Sequence, residues 1–590
     1  MLSFCKFAVS ISGLLLSLLR LGKQSPRTPA DSMKAHTNST LLEPLSSSIT
    51  HILRISGAAG ASVGILDGST GATHVAGYGY RDVAAGLPPN EHTVYHLASL
   101  SKSFTAIAIS LLVADGKLSY QDRMCDILPT FHHADVVIAS QSTLLDFLSH
   151  RTGLATKNAL WQQDGHELLR EQTGTVTMVS YLEVIEPLGS RWIYNNWGYD
   201  ILSQVVAAAS GKPWATFVSE RILRPLNLQK ITTDIHPPEK NWAQGYMPAP
   251  NCEMTNVGRP VIAGGTVQQG ANAVKSTVSD LLGYYKAISD AWTSETSPGT
   301  AANSTGTTTP LRNIQELLKR HIPLDPDASP KIGGQWYGAG WALADLPAPL
   351  GCIGTNGMFV PSMPIVGRGC NNHSVDGGRK TRVWYHNGSL VGFFSSVHVL
   401  PESGTIIVVL VNSIPKNDCA DWIGQLLVEE MLQCSERNDY ETLARESAAA
   451  YDGMCKQLQD DLNESKSEGA ISRPLPEYSG KYFNKLGNWF IEVTHHDGKL
   501  QFSFQGRSTQ THKLVLHGND TFSWPLTEAQ SRTRGRWPYL DVPTYLFHFE
   551  FDEHGKVSTL RWEHDPDVPG GETFIKRDGI SEPEQGRAEF

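Results

Sequence analysis

The run Val94–Gly116 constrains this chain more than any other stretch: a serine and a lysine introduce a nearly unbroken apolar segment. Phe104, Ala106, Ile107, Ile109, Leu111, Leu112 and Val113 leave no strong polar face. That pattern predicts a fully buried helix, with Gly116 as its C-terminal stop. Ser99 and Lys102 are three residues apart, so a helix would set them on one face. A lysine almost never enters an apolar interior without a partner or a task.

Chemistry supplies the task. A serine hydroxyl is a weak nucleophile until a neighbour takes its proton. Burial disfavours the ammonium, so a lysine in apolar surroundings becomes a base near neutral pH. The start of a helix adds backbone N–H groups where an oxyanion forms. The spacing needs its context, however. Ser413-Ile-Pro-Lys416 has the same spacing but precedes a predicted helix start at Asn417-Asp418, so its two side chains share no helical face.

A chain of 590 residues predicts two domains, and 40% apolar content supports a genuine core. The net charge of -10 gives no reason to expect nucleic acid as a partner. Lys6 precedes the apolar stretch Phe7–Leu19, which suits the h-region of a signal peptide and is too short to span a membrane. Arg20 follows at once and no Ala-x-Ala site is present. Residues 1–22 are therefore expected to be a signal peptide of a secreted or secretory-pathway protein, with an apolar N-terminal segment of a cytoplasmic protein as the alternative. The eight cysteines are scattered, without a Cys-x-x-Cys pair, which excludes a dense disulfide scaffold. Cys352 and Cys370 flank a loop-like stretch and would pair in an exported protein. Sequons at Asn38, Asn303, Asn372, Asn387, Asn463 and Asn519 are about as many as chance gives and barely bear on the compartment.

Residues 23–45 read as a linker. Strands are expected at 61–67 and 72–80, and helices at 143–150, 178–187, 198–210, 214–228 and 276–286. Residues 291–310 and 351–380 read as surface inserts. Three strands follow at 381–388, 392–400 and 405–411, then a helix at 421–431. Residues 436–475 are a charged linker with some helical content. Beyond Tyr478 the alternation changes to period two, at 489–493, 500–504, 545–551 and 556–562. That predicts a separate antiparallel β domain over 476–580.

Three stretches stand in order: Ser99-Leu-Ser-Lys102, Tyr194-Asn-Asn196 and His386-Asn-Gly388. With the flanks His150-Arg-Thr-Gly-Leu154 and Gly77-Tyr-Gly-Tyr80, residues 46–435 resemble the serine β-lactamase and penicillin-binding protein superfamily, in its class C, D-aminopeptidase and esterase-like branch. The C-terminal region resembles the lipocalin-like barrel that such proteins append. The resemblance implies an α+β fold, an antiparallel sheet flanked by helices beside an all-helical region, with the site between. It implies Ser99 as the acylated nucleophile, Lys102 as its activator, and Tyr194 as the proton donor to the leaving group. Asn196 would bind a substrate amide and hold Lys102. His386 and Gly388 would lie on an edge strand lining the cleft, and the backbone N–H groups of Ser99 and Ser389 would form the oxyanion hole.

The third motif departs from the family's Lys-Thr-Gly. A mostly neutral histidine attracts a substrate carboxylate less than a lysine does. The expected substrates are therefore small-molecule esters, amides or D-aminoacyl peptides in preference to β-lactams. A glycan at Asn387 would block the cleft, so that sequon is expected to stay unmodified. Alone, Tyr194 reads as a core aromatic and His386 as a strand histidine; beside Ser99 and Lys102 both read as site residues. His166-Glu-Leu-Leu-Arg170 fails the zinc-binding His-Glu-x-x-His pattern, and no Gly-x-Ser-x-Gly elbow or phosphate-binding glycine loop occurs. No metal, cofactor, nucleic acid or stable membrane span is expected. Two alternatives to a hydrolase remain: an acyltransferase serving a small-molecule, secondary-metabolite acceptor from the same site, and a non-catalytic binding protein of the same fold.

Overall fold

The computed structural model describes residues 35–37, 39–235, 240–296, 309–327, 333–370 and 381–577. Its centre is a nine-stranded sheet. In chain order the strands are β1 (Ala35–Thr37), β2 (Gly60–Leu66), β3 (Thr73–Gly79), β4 (Ile322–Pro323), β5 (Gln335–Tyr337), β6 (Ala342–Asp345), β7 (Arg382–Leu390), β8 (Phe393–Leu400) and β9 (Thr405–Val411). In space they run β1-β3-β2-β9-β8-β7-β6-β5-β4, every pair antiparallel. The continuous apolar run of β9 is explained by burial on both faces. Ile406, Val408 and Leu410 enter one core, and Ile407, Val409 and Val411 the other.

The longer helices are α1 (Ser46–Ser56), α2 (Ser101–Ala114), α3 (Asn196–Ser210), α4 (Val278–Thr296), α5 (Cys419–Met431) and α6 (Tyr440–Glu464). α5 packs on β8 and β9, with α1 and α6 against it; α4 packs on β9 and β2. α2 and α3 pack together in the helical region. As the apolar run predicts, α2 is buried from Ser101 through Leu112.

Several expectations change. Residues 436–475 are not simply a linker: Asp439 caps α6, and Tyr440, Ala444, Ser447, Ala448 and Tyr451 form a buried stripe at helical spacing. Of residues 23–45, the part from Ser39 onward folds onto the sheet, with Leu42 fully buried; residues 1–34, including the leader, lie outside the described residues. The helix expected over 178–187 is confined to Thr175–Val179. That over 214–228 runs as Trp214–Val218 and then a π turn, Ser219–Leu223. The first residues of the 291–310 insert belong to α4, because Trp292 packs edge-on to Trp384 at 5.0 Å. Cys370 pairs with Cys434, just after α5, and not with Cys352. Cys352 is a free thiol that burial pushes up to about 11.

The C-terminal strands are β10 (Gly480–Phe483), β11 (Phe490–His496), β12 (Lys499–Phe504), β13 (Thr511–Gly518), β14 (Thr521–Ser523), β15 (Leu546–Phe551), β16 (Val557–Trp562) and β17 (Glu572–Arg577). Each pairs with the next, and β10 with β17, closing a barrel. An eight-stranded barrel is just wide enough to be filled by side chains. Here aromatic rings fill it: Phe502 lies 4.7 Å from Phe547 and Phe504 5.2 Å from Trp562.

Candidate active site

The three motifs meet at the start of α2. Ser99 lies in the 3-10 turn Ala98–Leu100, immediately before the α-helix itself. Ala98 has a φ of 50°, in the left-handed region that a residue with a Cβ rarely adopts. The turn is held from both sides: the Leu97 N–H donates to the Val274 carbonyl at 3.0 Å, and the Ser395 hydroxyl donates to the Leu97 carbonyl at 2.8 Å.

Lys102 Nζ is 3.0 Å from Ser99 Oγ, 2.8 Å from Asn196 Oδ1 and 3.5 Å from the Ala271 carbonyl. It lies over the rings of Tyr194, at 4.7 Å, and Tyr199, at 5.6 Å. The side chain is fully buried and none of these partners is a carboxylate. Burial therefore pushes the ammonium well below the usual lysine value of 10.5. Ser99 Oγ also lies 3.5 Å from Asn272 Oδ1.

Asn196 opens α3, and the capping residue Asn195 fixes its position. Asn195 Oδ1 accepts from the Gly198 N–H at 3.1 Å, while its Nδ2 donates to the Leu154 and Ala155 carbonyls at 3.1 and 2.8 Å. Asn196 Nδ2 donates to Asn158 Oδ1 at 3.1 Å. Tyr194 is half-buried, with its ring 4.4 Å from that of His150. Burial raises its phenol, against a smaller opposing pull from its hydrogen bond with Ser99. His150 Nδ1 accepts from the Asn195 N–H at 3.1 Å, and Tyr337 and Tyr199 complete its aromatic surroundings at 4.9 and 5.1 Å.

His386 faces the same centre, 6.3 Å from Tyr194 ring to ring. Its Nδ1–H donates to the Asn387 carbonyl at 2.6 Å, and its Nε2 accepts from the Tyr337 hydroxyl at 3.0 Å. Burial, and then the charge of Lys102, push it down to about 3. The strand carrying it is not an edge strand of the sheet, as expected, but an interior one. Its neighbour β6 pairs with it only from Arg382 through Tyr385, so beyond Tyr385 its side toward the cleft has no partner strand among the described residues. Gly388 is needed there: a Cβ would sit 2.4 Å from the Leu97 carbonyl oxygen and 3.2 Å from Ser99 N. Gly388 thus lies directly against the serine turn, and Ser389 follows it on β7. Asn387 points the other way, donating to Asp418 Oδ2 at 3.2 Å in a buried pocket. A glycan is excluded there by burial and not by a clash in the cleft.

Sequence reading named Ser99, Lys102, Tyr194, Asn196, His386 and Gly388, which the structure brings to one place. It missed Asn158, which sits in an irregular stretch without periodicity, and Asn272. It passed over Tyr199 and Tyr337, and named His150 only as a motif flank. Among the described residues no group of three or more His, Cys, Asp or Glu side chains is arranged to hold a metal, and no helix is long and apolar enough to cross a membrane.

The beta-lactamase family model matches residues 46–430, and the chain belongs to that family. A second model, a domain of unknown function designated DUF3471, matches residues 465–577, the barrel and its approach. Penicillin-binding protein 4* of Bacillus subtilis is 28% identical over 227 residues, 36% of this chain and 48% of that protein; the chain thus spans about half the length of that relative. A beta-lactamase of Escherichia coli is 23% identical over 344 residues, 57% of this chain and 79% of the enzyme. The unguisins hydrolase ungD' of Aspergillus campestris is 29% identical over 200 residues, 32% of this chain and 36% of that protein. Among solved structures, the octameric penicillin-binding protein homologue from Pyrococcus abyssi shares the fold, with a TM-score of 0.50 at 20% identity, over 91% of this chain and all of that one.

Proposed function

We propose that the chain is a serine hydrolase that acts through an acyl-enzyme on Ser99 and cleaves small-molecule esters or amides. The observation that carries this reading is the buried Lys102 amine, 3.0 Å from Ser99 Oγ and without a carboxylate partner. A neutral amine has two N–H groups and one lone pair. Asn196 Oδ1 and the Ala271 carbonyl accept the two N–H groups, which turns the lone pair toward the serine hydroxyl. As Oγ attacks the substrate carbonyl, its proton passes to Nζ. The backbone N–H groups of Ser99 and Ser389 receive the oxyanion. The Tyr194 hydroxyl, kept protonated by burial, delivers a proton to the leaving group and takes back the one held on Lys102, which restores the neutral amine and the phenol. Water then enters along the same route and releases the acid.

The substrate class follows from His386. Beta-lactamases, penicillin-binding proteins and an unguisins hydrolase share this family's sequence pattern, so the fold does not choose among them. A histidine kept neutral offers no cation to a substrate carboxylate, which favours uncharged esters and amides. The Cys370–Cys434 pair supports the further reading that the protein works in an oxidising compartment. Intact-mass measurement after brief exposure to p-nitrophenyl acetate tests the proposal. One acetyl adduct, mapped to the Ser99 peptide and absent from Ser99→Ala, is expected. An adduct elsewhere, or full esterase activity in Ser99→Ala, refutes it.

A further inference from the structure

Two buried carboxylates of the barrel hold the stretch that leads to Asn158. Asp565, in the loop after β16, is buried, and its Oδ2 accepts from the Thr156 N–H at 2.9 Å, the Thr156 hydroxyl at 3.1 Å and the Lys157 N–H at 2.7 Å. Glu572, on β17, accepts from Lys157 Nζ at 2.9 Å and from the Tyr181 hydroxyl at 2.9 Å, and lies 3.0 Å from His564 Nε2. Lys157, fully buried, also donates to Glu183 at 2.8 Å. Its backbone stands at a φ of 35°, so a lysine holds a left-handed turn that it would leave without these contacts. The next residue is Asn158, the partner of Asn196.

We propose that Asp565 and Glu572 are positioning residues for the catalytic cleft: by holding Lys157 in its left-handed turn, the barrel presents Asn158 to Asn196 and thereby fixes the hydrogen bond from Lys102. The proposal rests on the acyl-enzyme reading above and extends it to a second domain. Neither residue touches the reacting atoms. Their effect travels through Lys157, Asn158 and Asn196, each link a hydrogen bond or a peptide bond. The groups facing Lys102 are Ser99, Tyr194, Asn196, Tyr199, the Ala271 carbonyl and, through its charge, His150 and His386. Losing the Asn196 acceptor removes a partner that favours the ammonium.

Two measurements on the full chain test this. The rate at which a fluorophosphonate labels Ser99 is followed against pH, and hydrogen exchange is followed in peptides covering 154–170 and 194–203. Asp565→Ala is expected to slow labelling roughly tenfold, a fraction of the ~10²–10⁴ a general base supplies. The midpoint of its pH profile should move to lower pH, and exchange should rise in both peptides. Asp565→Asn, which keeps an acceptor oxygen, should recover most of the rate. Asn158→Ala should shift the midpoint in the same direction, and combining it with Asp565→Ala should add little. Should Asp565→Ala fail to fold, Glu572→Gln is read in the same two assays. Unchanged exchange in 194–203 overturns the proposal, as does a raised exchange in 154–170 with an unmoved midpoint. If the parent is not labelled at Ser99, the acyl-enzyme reading falls, and exchange in 194–203 decides the clamp by itself: a rise supports it and no change overturns it.

Discussion

Lys102 and Lys157 are both fully buried, yet their surroundings differ in one respect. Lys157 meets two carboxylates, Glu183 and Glu572, at the face where the barrel docks. Lys102 meets a hydroxyl, an amide oxygen and a carbonyl. Carboxylate partners offset the desolvation of a buried cation and let it hold elements together; without them burial favours the neutral amine, which can serve as a base. Lys275 shows that burial is not sufficient. Burial pulls it down to about 7, but its hydrogen-bond partners are the Ile262 and Thr233 carbonyls and no serine hydroxyl is among them. The serine is what turns a depressed lysine into a candidate catalyst.

The comparison breaks most sharply under matched substitutions. Lys102→Met should reduce Ser99 acylation by ~10²–10⁴-fold. It should leave thermal stability unchanged or raised, since an apolar side chain replaces a buried amine that has no carboxylate partner. Lys157→Met should do the reverse to stability, costing about 3–5 kcal/mol, because it takes the cation from the buried Glu572 carboxylate. Urea unfolding of both variants checks this; a Lys102→Met that unfolds more easily than Lys157→Met would invert the assignments.

Acid should loosen the docking face next. Burial pushes the Glu572 carboxyl up, but the hydrogen bond from His564 and the charge of Lys157 outweigh it and hold it at about 2, against 4.5 in the unfolded chain. The folded value is depressed, so this stabilisation is fully present above pH 4.5 and is lost as the pH falls toward 2. Its size is on the order of 3 kcal/mol. Melting temperature measured from pH 6 downward should drop more steeply below pH 4.5 in the parent than in Glu572→Gln.

The smallest effect concerns selectivity. His386→Lys should raise kcat/KM for a carboxylate-bearing β-lactam relative to a neutral ester by up to about fivefold, the equivalent of 0.2–1 kcal/mol. Lowering the pH should not imitate this in the parent, because His386 stays neutral until about pH 3. A parent that already prefers the anionic lactam contradicts this reading of the third motif.

Local spacing carries far in this sequence. Ser99 and Lys102 were legible because three residues of one helix turn decide their proximity, and β9 because a strand buried on both faces must be apolar throughout. What escaped is what folding brings together from a distance. Asn158 has no pattern around it; its neighbour Lys157 is bound by Asp565, more than four hundred residues later. The Cys370–Cys434 bond escaped because flanking a loop says nothing of which thiols meet across α5. Of α6 only some helical content was legible, because charged residues dilute its buried stripe.

In the proposed mechanism, burial makes Lys102 the base for Ser99. Its most direct test is the pH dependence of fluorophosphonate labelling at Ser99, read by intact mass in the parent and in Lys102→Met. Labelling needs the neutral amine, so it rises as the pH passes through the folded value of Lys102. The account predicts a midpoint well below 10.5 in the parent, and slow labelling without that midpoint in the variant. A midpoint near 10.5, or equal labelling in Lys102→Met, contradicts it.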